Sequence, residues 1–525
     1  MKRIASAVVC LVLLAAIMLT GSAALGEGKP KLTVWTGLGS KVSEVYTTWN
    51  DIACWQYIQE KFNTEIEFIH PAVGSEAESF SLMLASGTLP DVINGGWGTF
   101  QGAGANKAIA DGIIIPLNNL LATDAPDFTT LLEEHPDWKY QMSTDEGTIA
   151  YFPHIYETQF ACTFEGFQIR QDWLSALGLD MPATIEEWHD VLTAFRDGDP
   201  NGNGEKDELA FVPSPNHNQI RSWRIPFGLN PYSEGFYLNP ERQVMHTYLS
   251  DEYANYLRTM AAWYAEGLID PEYITNDRNM LTAKMTDNLA GATYAGYGMG
   301  FLGNWTNAMK SVGDESFFLV GAPYPVGPDG IVRNKSGFTV GTGGFAISTD
   351  CANPNLAVQI LNYVFSEEGG LIYNFGPGSD VYTLVDGKPV YKSSAELIGG
   401  SGLPVDSVLL KAGGMACNGS LGIEPDAYQR MVVSTFEGQS IAAVNYNIGD
   451  SSYLIPPISQ TAEESDELSE IVIEITTLMD EYETKVIMGL ESIDKLPDML
   501  KTLEGMNIQR AIELKQLAVD RYFAR

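Results

Sequence analysis

The first part of the chain alternates strands and helices, and this alternation limits the possible folds more than any other feature of the sequence. Residues 31–35, 64–69 and 91–93 have the apolar or alternating pattern of strands. Residues 49–62 and 79–85 lie between them and carry apolar side chains at helical spacing. Repeated strand–helix–strand units predict an α/β fold with a mostly parallel, doubly wound sheet. Ligands of such sheets bind beyond the carboxyl ends of the strands.

A second α/β unit begins near residue 152. Residues 167–170 and 290–294 predict further strands, and Thr184 followed by Glu187 is the capping-box pattern that starts a helix. Residues 323–337 are rich in Pro and Gly, which is typical of a crossover between units. The chain is largely helical near its end. The pattern therefore predicts two α/β lobes.

The charge of the chain excludes some classes of partner. Its 525 residues include 67 acidic and 31 basic side chains, which gives a formal net charge of −36. Binding to nucleic acid or to anionic membranes needs clustered Lys and Arg, so neither is expected. Neutral ligands remain possible, and composition alone leaves an enzyme, a binding protein and a structural module open.

The first 26 residues have the pattern of an export signal. Lys2 and Arg3 precede an apolar run at residues 8–19, and small residues follow it. The run is shorter than the ~20 apolar residues that a membrane helix needs. Leu19-Thr20-Gly21 resembles the start of a lipoprotein signal, but Ser22 stands where that signal has Cys. We therefore expect an exported protein, extracellular or periplasmic, and the sequence leaves its membrane anchoring open.

Residues 197–208 match the D-x-[DN]-x-[DN]-G-x5-E pattern of a calcium loop. Calcium prefers six to eight oxygen ligands, and alternating Asp and Asn in a Gly-rich loop supply them. Two registers fit. An EF-hand register begins at Asp197, whereas a shifted register takes its ligands from Asp199, Asn201, Asn203, Glu205, Asp207 and Glu208. Because residues 209–212 read as a strand, we expect a structural calcium ion rather than a sensor or a catalytic metal.

Common catalytic motifs are absent from the sequence. The six His residues form no H-E-x-x-H motif, and there is no G-x-S-x-G or Walker A pattern. Residues 298–303 fit G-x-G-x-x-G, but no acidic residue follows at the spacing of a dinucleotide site. Paired carboxylates of a glycosidase are a spatial property, so a secreted polysaccharide hydrolase or lyase remains the alternative to a binding protein. A calcium-dependent adhesion module is disfavoured, since it would show β-sandwich spacing.

Several segments resemble the extracellular solute-binding proteins (family 1) of carbohydrate ABC importers. The resemblance begins at residues 49–55 and 84–93, and continues at residues 169–179 and 182–188. It extends to Gly267-Leu268-Ile269-Asp270-Pro271-Glu272 and to residues 516–521, so it covers almost the whole chain. The large lipoprotein branch of the family has a similar calcium loop, which favours the shifted register.

The resemblance implies a two-lobe, type II periplasmic-binding-protein-like fold with a hinge, in which each lobe is a mostly parallel sheet flanked by helices. Lobe 1 would comprise residues 27–152 and about 337–452, and lobe 2 residues 153–336 and about 453–525. Such a protein binds a sugar or oligosaccharide between the lobes, closes over it and delivers it to the permease of an ABC importer. It would be a monomer without catalytic activity. The identity, length and charge of the sugar stay open.

Sugars present hydroxyl groups at the rim and C–H groups on both faces, so they need aromatic side chains together with fixed polar groups. Trp97 follows a strand of lobe 1, and Trp305 of lobe 2 resembles the cleft tryptophan of the family. Arg170 either binds hydroxyl groups or pairs with Asp172, and with Arg221 and Arg224 it would favour an anionic ligand. The predicted ligand-binding residues are Trp97, Arg170, Trp223, Tyr297, Asn304, Trp305 and Tyr446.

Overall fold

The computed structural model describes residues 28–102, 104–213, 219–232, 234–297, 301–335, 337–401 and 403–525. The predicted export signal lies outside these residues. The described strands form a six-stranded sheet, a four-stranded sheet and two hairpins. They are β1 (Lys31–Trp35), β2 (Glu65–Ile69), β3 (Val92–Gly95), β4 (Phe152–Tyr156), β5 (Glu165–Arg170), β6 (Leu209–Phe211), β7 (Phe236–Leu238), β8 (Val244–His246), β9 (Ala290–Gly296), β10 (Leu319–Gly321), β11 (Val340–Ile347), β12 (Tyr382–Val385), β13 (Lys388–Tyr391) and β14 (Gly422–Glu424).

Helices pack around both larger sheets. They are α1 (Ser40–Ser43), α2 (Ala53–Lys61), α3 (Glu76–Ser86), α4 (Ala105–Ala110), α5 (Asn118–Asp124), α6 (Pro126–Glu134), α7 (Pro136–Met142), α8 (Gln159–Cys162), α9 (Gln171–Leu177), α10 (Ile185–Asp197), α11 (Asp251–Ala265), α12 (Arg278–Thr286), α13 (Leu302–Ser311), α14 (Pro354–Tyr363), α15 (Glu367–Phe375), α16 (Ser394–Ile398), α17 (Val405–Lys411), α18 (Asp426–Val433), α19 (Glu437–Asn445), α20 (Ala462–Ile487), α21 (Leu496–Gly505) and α22 (Ile508–Ala524). Short 3₁₀ turns include Trp49–Asp51 and Gln219–Arg224.

The first sheet has the strand order β14-β4-β11-β3-β1-β2. β1 pairs in parallel with β2 and β3, as the strand–helix repeats predict, and β14 pairs in parallel with β4. β11 enters between β3 and β4 and is antiparallel to both. We call this sheet with its helices lobe 1.

The second sheet has the order β10-β5-β9-β6 and forms lobe 2. The two-lobe α/β class is confirmed, but the expectation of a mostly parallel sheet is wrong here. β5 is antiparallel to both of its neighbours, and only β9 and β6 pair in parallel. The reason is topological: β5 leads away from lobe 1, whereas β9 and β10 run back towards it.

Three crossings connect the lobes. The first lies between β4 and β5, and the second between β10 and β11, where the Pro- and Gly-rich segment was predicted. The third lies between α18 and α19, because residues up to Val432 pack in the lobe 1 core whereas Val433 and Ala442 pack in the lobe 2 core. This crossing is earlier than the predicted boundary near residue 452. Likewise, β4 extends lobe 1 to Tyr156.

Local sequence signals set several helix ends as predicted. Thr184 Oγ1 accepts a hydrogen bond from the Glu187 backbone N–H at 3.1 Å, and the Glu187 carboxylate accepts one in return from the Thr184 N–H. This capping box starts α10. Gly178 ends α9 with a φ of 67°, a left-handed conformation that glycine adopts without a steric penalty.

The C-terminal helices pack mainly on lobe 2, and α20 and α22 also reach lobe 1. Arg521 Nε donates to Asp145 Oδ2 at 2.7 Å, and the Ser465 hydroxyl donates to the Gln101 carbonyl at 2.8 Å. The helices therefore brace the two lobes on the side of the C-terminus. Among the described residues, no helix combines the length and the apolar character needed to cross a membrane.

Candidate functional site

The carboxyl ends of strands from both lobes meet at the boundary between the lobes. In lobe 1, β4 ends at Tyr156 and its parallel neighbour β14 ends at Glu424. In lobe 2, β9 ends at Gly296, paired with Glu165 at the start of β5. Because the crossings leave and enter the sheets at these ends, both edges face the same boundary. Ligands of open α/β sheets bind at such edges, which makes this boundary the candidate site.

Four polar side chains form a continuous series of contacts across this boundary, and we call them the boundary network. Glu424 Oε1 accepts a hydrogen bond from Gln429 Nε2 at 2.7 Å, and Gln429 Oε1 accepts one from the Tyr297 hydroxyl at 3.4 Å. Glu424 Oε2 lies 3.3 Å from His154 Nε2. Tyr297 belongs to lobe 2 and the other three residues belong to lobe 1, so the network connects the lobes.

Strand register places the charged pair of this network. His154 lies opposite Gly422 in the parallel pairing of β4 with β14. Since residues two apart on a strand share a face, Glu424 projects on the same side as His154. The two residues are 5% and 7% exposed, respectively. Burial, and then the Glu424 carboxylate, raise the pKa of the Tyr297 hydroxyl, which therefore remains a hydrogen-bond donor at neutral pH.

The His154 Nε2 atom has an electrostatic contact but no aligned hydrogen bond. Its 3.3 Å distance to Glu424 Oε2 is short enough for an ion pair, but the two groups are not aligned for a hydrogen bond. Hydrogen-bond strength falls steeply with misalignment, so this contact is electrostatic rather than a hydrogen bond. Buried polar atoms nearly always have a hydrogen-bond partner. The atom therefore indicates a place where a polar group of a ligand could be bound.

A second polar group lies at the same edge of lobe 1. Lys41, in the helix that follows β1, has its Nζ 2.9 Å from Asp406 Oδ2, an ion-pair contact without hydrogen-bond alignment, and donates to the Tyr428 hydroxyl at 3.1 Å. The Tyr428 hydroxyl in turn donates to Asp406 Oδ1 at 2.9 Å. Burial lowers the pKa of Lys41, but Asp406 and neighbouring acidic groups, Glu424 among them, raise it overall. The lysine is therefore charged and already neutralised within the chain.

Trp97 lies at the boundary edge of lobe 1, but its ring turns into the core. Its Nε1 donates to the Ile93 carbonyl at 3.1 Å, and the residue has no exposed surface. The ring folds back over Gly95, where an added Cβ would lie 3.1 Å from it, and contacts Phe80 and Phe100. In this conformation Trp97 supports the edge and presents no face to a ligand.

Tyr297 and Tyr446 have different roles in lobe 2. The Tyr446 hydroxyl donates to the Phe167 carbonyl at 3.0 Å, and its ring covers Gly166, where a Cβ would approach the ring to 2.4 Å. Tyr446 is therefore a packing contact between α19 and β5. Of the two tyrosines, Tyr297 is the one that contacts lobe 1.

Trp305 and Asn304 follow the glycine run, of which residues 298–300 lie outside the described part of the chain. Trp305 is 1% exposed, and its Nε1 donates to Thr282 Oγ1 at 3.1 Å. Its ring packs edge-on against Phe301 at 5.4 Å. Asn304 is exposed on the first turn of α13. Trp305 thus packs within lobe 2, and Asn304 and Phe301 have the more accessible side chains.

Trp223, which the sequence predicts as a ligand contact, lies in the aromatic core of lobe 2. It has no exposed surface. The rings of Phe167, Phe211, Trp188 and Trp263 surround it at centroid distances of 4.6 to 5.5 Å. Packing against its neighbours accounts for both faces of the ring.

Arg170, also predicted from the sequence as a ligand contact, lies at the edge of lobe 2 away from the boundary. It ends β5, whose start faces lobe 1, so its side chain is a full strand length from the boundary. Its Nε and Nη2 form a two-point contact with Asp172 at 2.8 and 2.5 Å, and its Nη1 donates to Asn288 Oδ1 at 2.6 Å. Its guanidinium therefore stabilises this distal edge.

Arg221 and Arg224 also do not form an anion site with Arg170. Both contact the buried Glu483 of α20, Arg224 through Nη2 and Arg221 through Nε at 3.4 Å. Arg221 also pairs with Asp480. We call these four residues the arginine cluster. Burial would raise the pKa of Glu483, but Arg224 and then Arg221 lower it overall, so the carboxylate is ionised. The hydroxyls of Tyr253 and Tyr256 complete its hydrogen bonds at 3.0 and 3.1 Å.

The predicted calcium loop lies at the distal edge of lobe 2, just before β6. Asp199 Oδ2 accepts a hydrogen bond from the Gly204 backbone N–H at 3.1 Å, and Asn203 Nδ2 donates to both Asp207 oxygens at 3.1 and 3.2 Å. The Asn201 and Asn203 side-chain oxygens accept backbone N–H groups of the loop. The loop is therefore folded around its own polar groups, remote from the boundary network.

Three carboxylate oxygens of this loop are buried without a hydrogen-bond partner: Asp199 Oδ1 and both Oε atoms of Glu208. Burial, then Asp207 and Asp199, raise the pKa of Glu208. No three His, Cys, Asp or Glu side chains converge on one point within the described residues. The three acidic side chains of the shifted register, Asp199, Asp207 and Glu208, therefore do not converge on one point in this structure, and amides and a backbone carbonyl make up the rest of that ligand set. By contrast, both carboxylate oxygens of Asp197 accept hydrogen bonds, from Arg196 Nε at 2.9 Å and from Arg196 Nη2 at 2.7 Å.

The sequence interpretation missed His154, Glu424 and Gln429, and it left the pairing of the cysteines open. The one local signal was His154 at the end of an apolar strand before the first crossing, but its partner lies in a distant part of the chain. Cys54, Cys162, Cys351 and Cys417 are free thiols, and burial raises the pKa of each of them.

The sequence and the fold of this chain are similar to those of known proteins. The chain is 30% identical over 261 residues to the fructooligosaccharide ABC transporter substrate-binding protein FusA of Streptococcus pneumoniae serotype 4 (strain ATCC BAA-334 / TIGR4). That match covers 48% of the chain and 46% of FusA, so it spans about half of the relative's length.

Two solved structures have the same fold over 94% of this chain and 99% of theirs. One is the solute-binding protein associated with an HMO-binding ABC transporter of Bifidobacterium longum infantis ATCC 15697, with a TM-score of 0.74 at 18% identity. The other is the alginate-binding protein AlgQ2 without calcium ion, with a TM-score of 0.73 at 23% identity. A family model described as bacterial extracellular solute-binding protein matches residues 39–371, more than half of the chain. This protein therefore belongs to the bacterial extracellular solute-binding proteins.

Proposed function

We propose that this protein is the binding component of an ABC importer and captures an oligosaccharide between its two lobes. The observation that carries the proposal is the boundary network, in which buried polar groups at the carboxyl ends of strands join two lobes connected by three crossings. Membership of the solute-binding family and the similarity to FusA support the ligand class. In this proposal the protein is exported, acts as a monomer, docks on a permease and performs no catalysis.

The geometry explains how binding could change the shape of the protein. A ligand shifts a two-state hinge only if it interacts differently with the two states. Groups of lobe 1 and of lobe 2 both reach the boundary, as His154 and Tyr297 show. A sugar that contacts both would favour the closed state, which is the form that a permease can distinguish from the empty protein.

We also propose a structural calcium ion in the loop at residues 199–208. The partnerless oxygens of Asp199 and Glu208 fit a hard cation, which prefers oxygen ligands. The shifted register does not use Asp197, and the hydrogen bonds of Asp197 with Arg196 therefore support that register. Asp199, Asn201, Asn203, Asp207 and Glu208 would supply side-chain oxygens, and Glu205 would supply its backbone carbonyl. Bound there, calcium would stabilise lobe 2 without contacting the sugar.

A binding screen tests the proposed function. The purified protein is titrated calorimetrically with neutral and acidic oligosaccharides, and small-angle scattering is recorded with and without each binder. We expect at least one oligosaccharide to bind and to reduce the radius of gyration. Absence of binding across the panel, or release of shortened products from an added glycan, would contradict the proposal; the second result would favour the enzyme alternative.

A further inference from the structure

We propose that the boundary network makes the site selective for uncharged saccharides, and that Glu424 is the specificity-determining residue. The inference rests on the proposed function and concerns the same site. It follows from how the charges at the boundary are matched, because a saccharide that carries carboxylates needs cations that are free to bind it.

The cations of the boundary on the lobe 1 and crossing side are already engaged by carboxylates of the chain. Lys41 pairs with Asp406 at 2.9 Å and Lys335 pairs with Glu165, while Arg430, whose side chain is 64% exposed, contacts Asp426 at 3.3 Å. An arriving carboxylate would meet the carboxylate of each pair as well as its cation, so each pair offers it little net attraction. The arginines that could have served an anion, Arg221 and Arg224, are in the lobe 2 core with Glu483.

Glu424 adds a negative charge that is not matched in this way. Among the residues that the structure describes, its one ion-pair contact is the unaligned approach of His154 at 3.3 Å. Glu424 is 5% exposed, so its charge acts through a medium of low effective dielectric constant and repels a nearby anion more strongly than a surface carboxylate would.

The same groups suit a hydroxyl. A carboxylate has about four acceptor positions, and Glu424 uses one of them for Gln429. A sugar hydroxyl can donate to Glu424 Oε2 and can also engage His154 Nε2, the buried atom that has no aligned partner. One neutral hydroxyl could therefore bind both Glu424 Oε2 and His154 Nε2, whereas the charge of Glu424 would repel an anion from the same position.

Arg278 is the alternative source of charge selectivity. Its guanidinium lies over the Phe301 ring at 5.0 Å, on the lobe 2 side of the boundary. If this arginine dominated, the site would prefer acidic saccharides. The test therefore includes it.

The experiment compares one neutral oligosaccharide that binds with its analogue oxidised to a uronate at a single C6. Affinities are measured by calorimetry for the native protein, Glu424→Gln, Arg278→Gln and the control Glu133→Gln, an exposed carboxylate of lobe 1. We expect the native protein to bind the neutral sugar at least tenfold more tightly. Glu424→Gln should reduce this preference at least fivefold, whereas Glu133→Gln and Arg278→Gln should leave it within twofold.

Equal or tighter binding of the uronate by the native protein would overturn the inference and leave the proposed function standing. An unchanged preference in folded Glu424→Gln would overturn the role of Glu424. If that variant does not fold, Gln429→Lys places a cation on the more exposed side of the network and should raise uronate affinity at least threefold; no gain would overturn the inference. If no saccharide binds, the proposed function fails and the inference fails with it.

Discussion

The arginine cluster and the boundary network are both buried and polar, but their charges are matched differently. In the arginine cluster, two guanidinium groups meet the carboxylates of Glu483 and Asp480, and two tyrosine hydroxyls donate to Glu483, although Arg224 Nε has no hydrogen-bond partner. In the boundary network, the one ion-pair contact of Glu424 among the described residues is His154, whose Nε2 is not aligned with it for a hydrogen bond. A matched buried cluster needs nothing from outside the chain, whereas an unmatched one at a boundary is suited to a ligand.

Glu483→Gln should produce the largest effect, and that effect should be on stability. The change keeps the side-chain volume but leaves two buried arginines without their shared carboxylate, and breaking a buried ion pair in this way costs about 3–5 kcal/mol. Chemical unfolding of the variant measures the loss. Glu481→Gln on the same helix is the control, because the Glu481 pair with Lys485 is exposed. A loss of less than ~1 kcal/mol in Glu483→Gln would show that the cluster is not structural.

The arginine cluster should also make stability depend on pH through its neighbour His246. Burial, and then the positive charge of Arg224, lower the pKa of His246 from 6.5 to about 3. A histidine with a depressed pKa is neutral when folded, while the unfolded chain takes up a proton below pH 6.5. Its contribution is therefore complete above pH 6.5 and is lost as the pH falls towards about 3. The slope in that window is about 1.4 kcal/mol per pH unit at most.

Unfolding free energies at pH 7 and pH 4.5 measure this dependence, and His246→Asn is the comparison. Asn cannot titrate, and its side-chain oxygen can accept the Tyr248 backbone N–H that His246 Nδ1 accepts at 3.3 Å. The variant should lose less stability than the native protein between the two pH values. Identical losses would assign the acid sensitivity to other groups.

Calcium should stabilise the distal edge without changing sugar affinity. At a free concentration of 100 times its dissociation constant, a ligand of the folded state adds about 2.7 kcal/mol. Calcium should therefore raise the melting temperature by several degrees, and chelation should reverse the rise. Glu208→Gln and Asp207→Asn should abolish the effect, whereas Asp197→Asn should retain it in the shifted register. Retention with Asp207→Asn and loss with Asp197→Asn would instead support the EF-hand register.

Local signals in the sequence predicted most elements but not the site. The strand at Lys31–Trp35 and the capping box at Thr184 depend on neighbouring residues, so both could be read correctly. Arg170 could not be placed, because the edge of the sheet at which β5 ends depends on its antiparallel pairing with β9. The proximity of His154 and Glu424 depends on the register of two strands that are far apart in sequence. Buried tryptophans such as Trp223 and Trp305 have the same local pattern whether they line a core or a cleft.

The smallest expected effect distinguishes a contact within one lobe from a contact between lobes. Tyr297→Phe removes the hydroxyl that donates to Gln429 across the boundary, and Tyr446→Phe removes one that donates to Phe167 within lobe 2. Each change removes one hydrogen bond, so each should cost about 0.5–1.5 kcal/mol of stability or less. Only Tyr297→Phe should also change ligand affinity, by about fivefold for 1 kcal/mol, because only its hydroxyl connects elements that move relative to one another on closure. Calorimetry and scattering on both variants measure this; equal changes in affinity would mean that the boundary network is structural, like the arginine cluster.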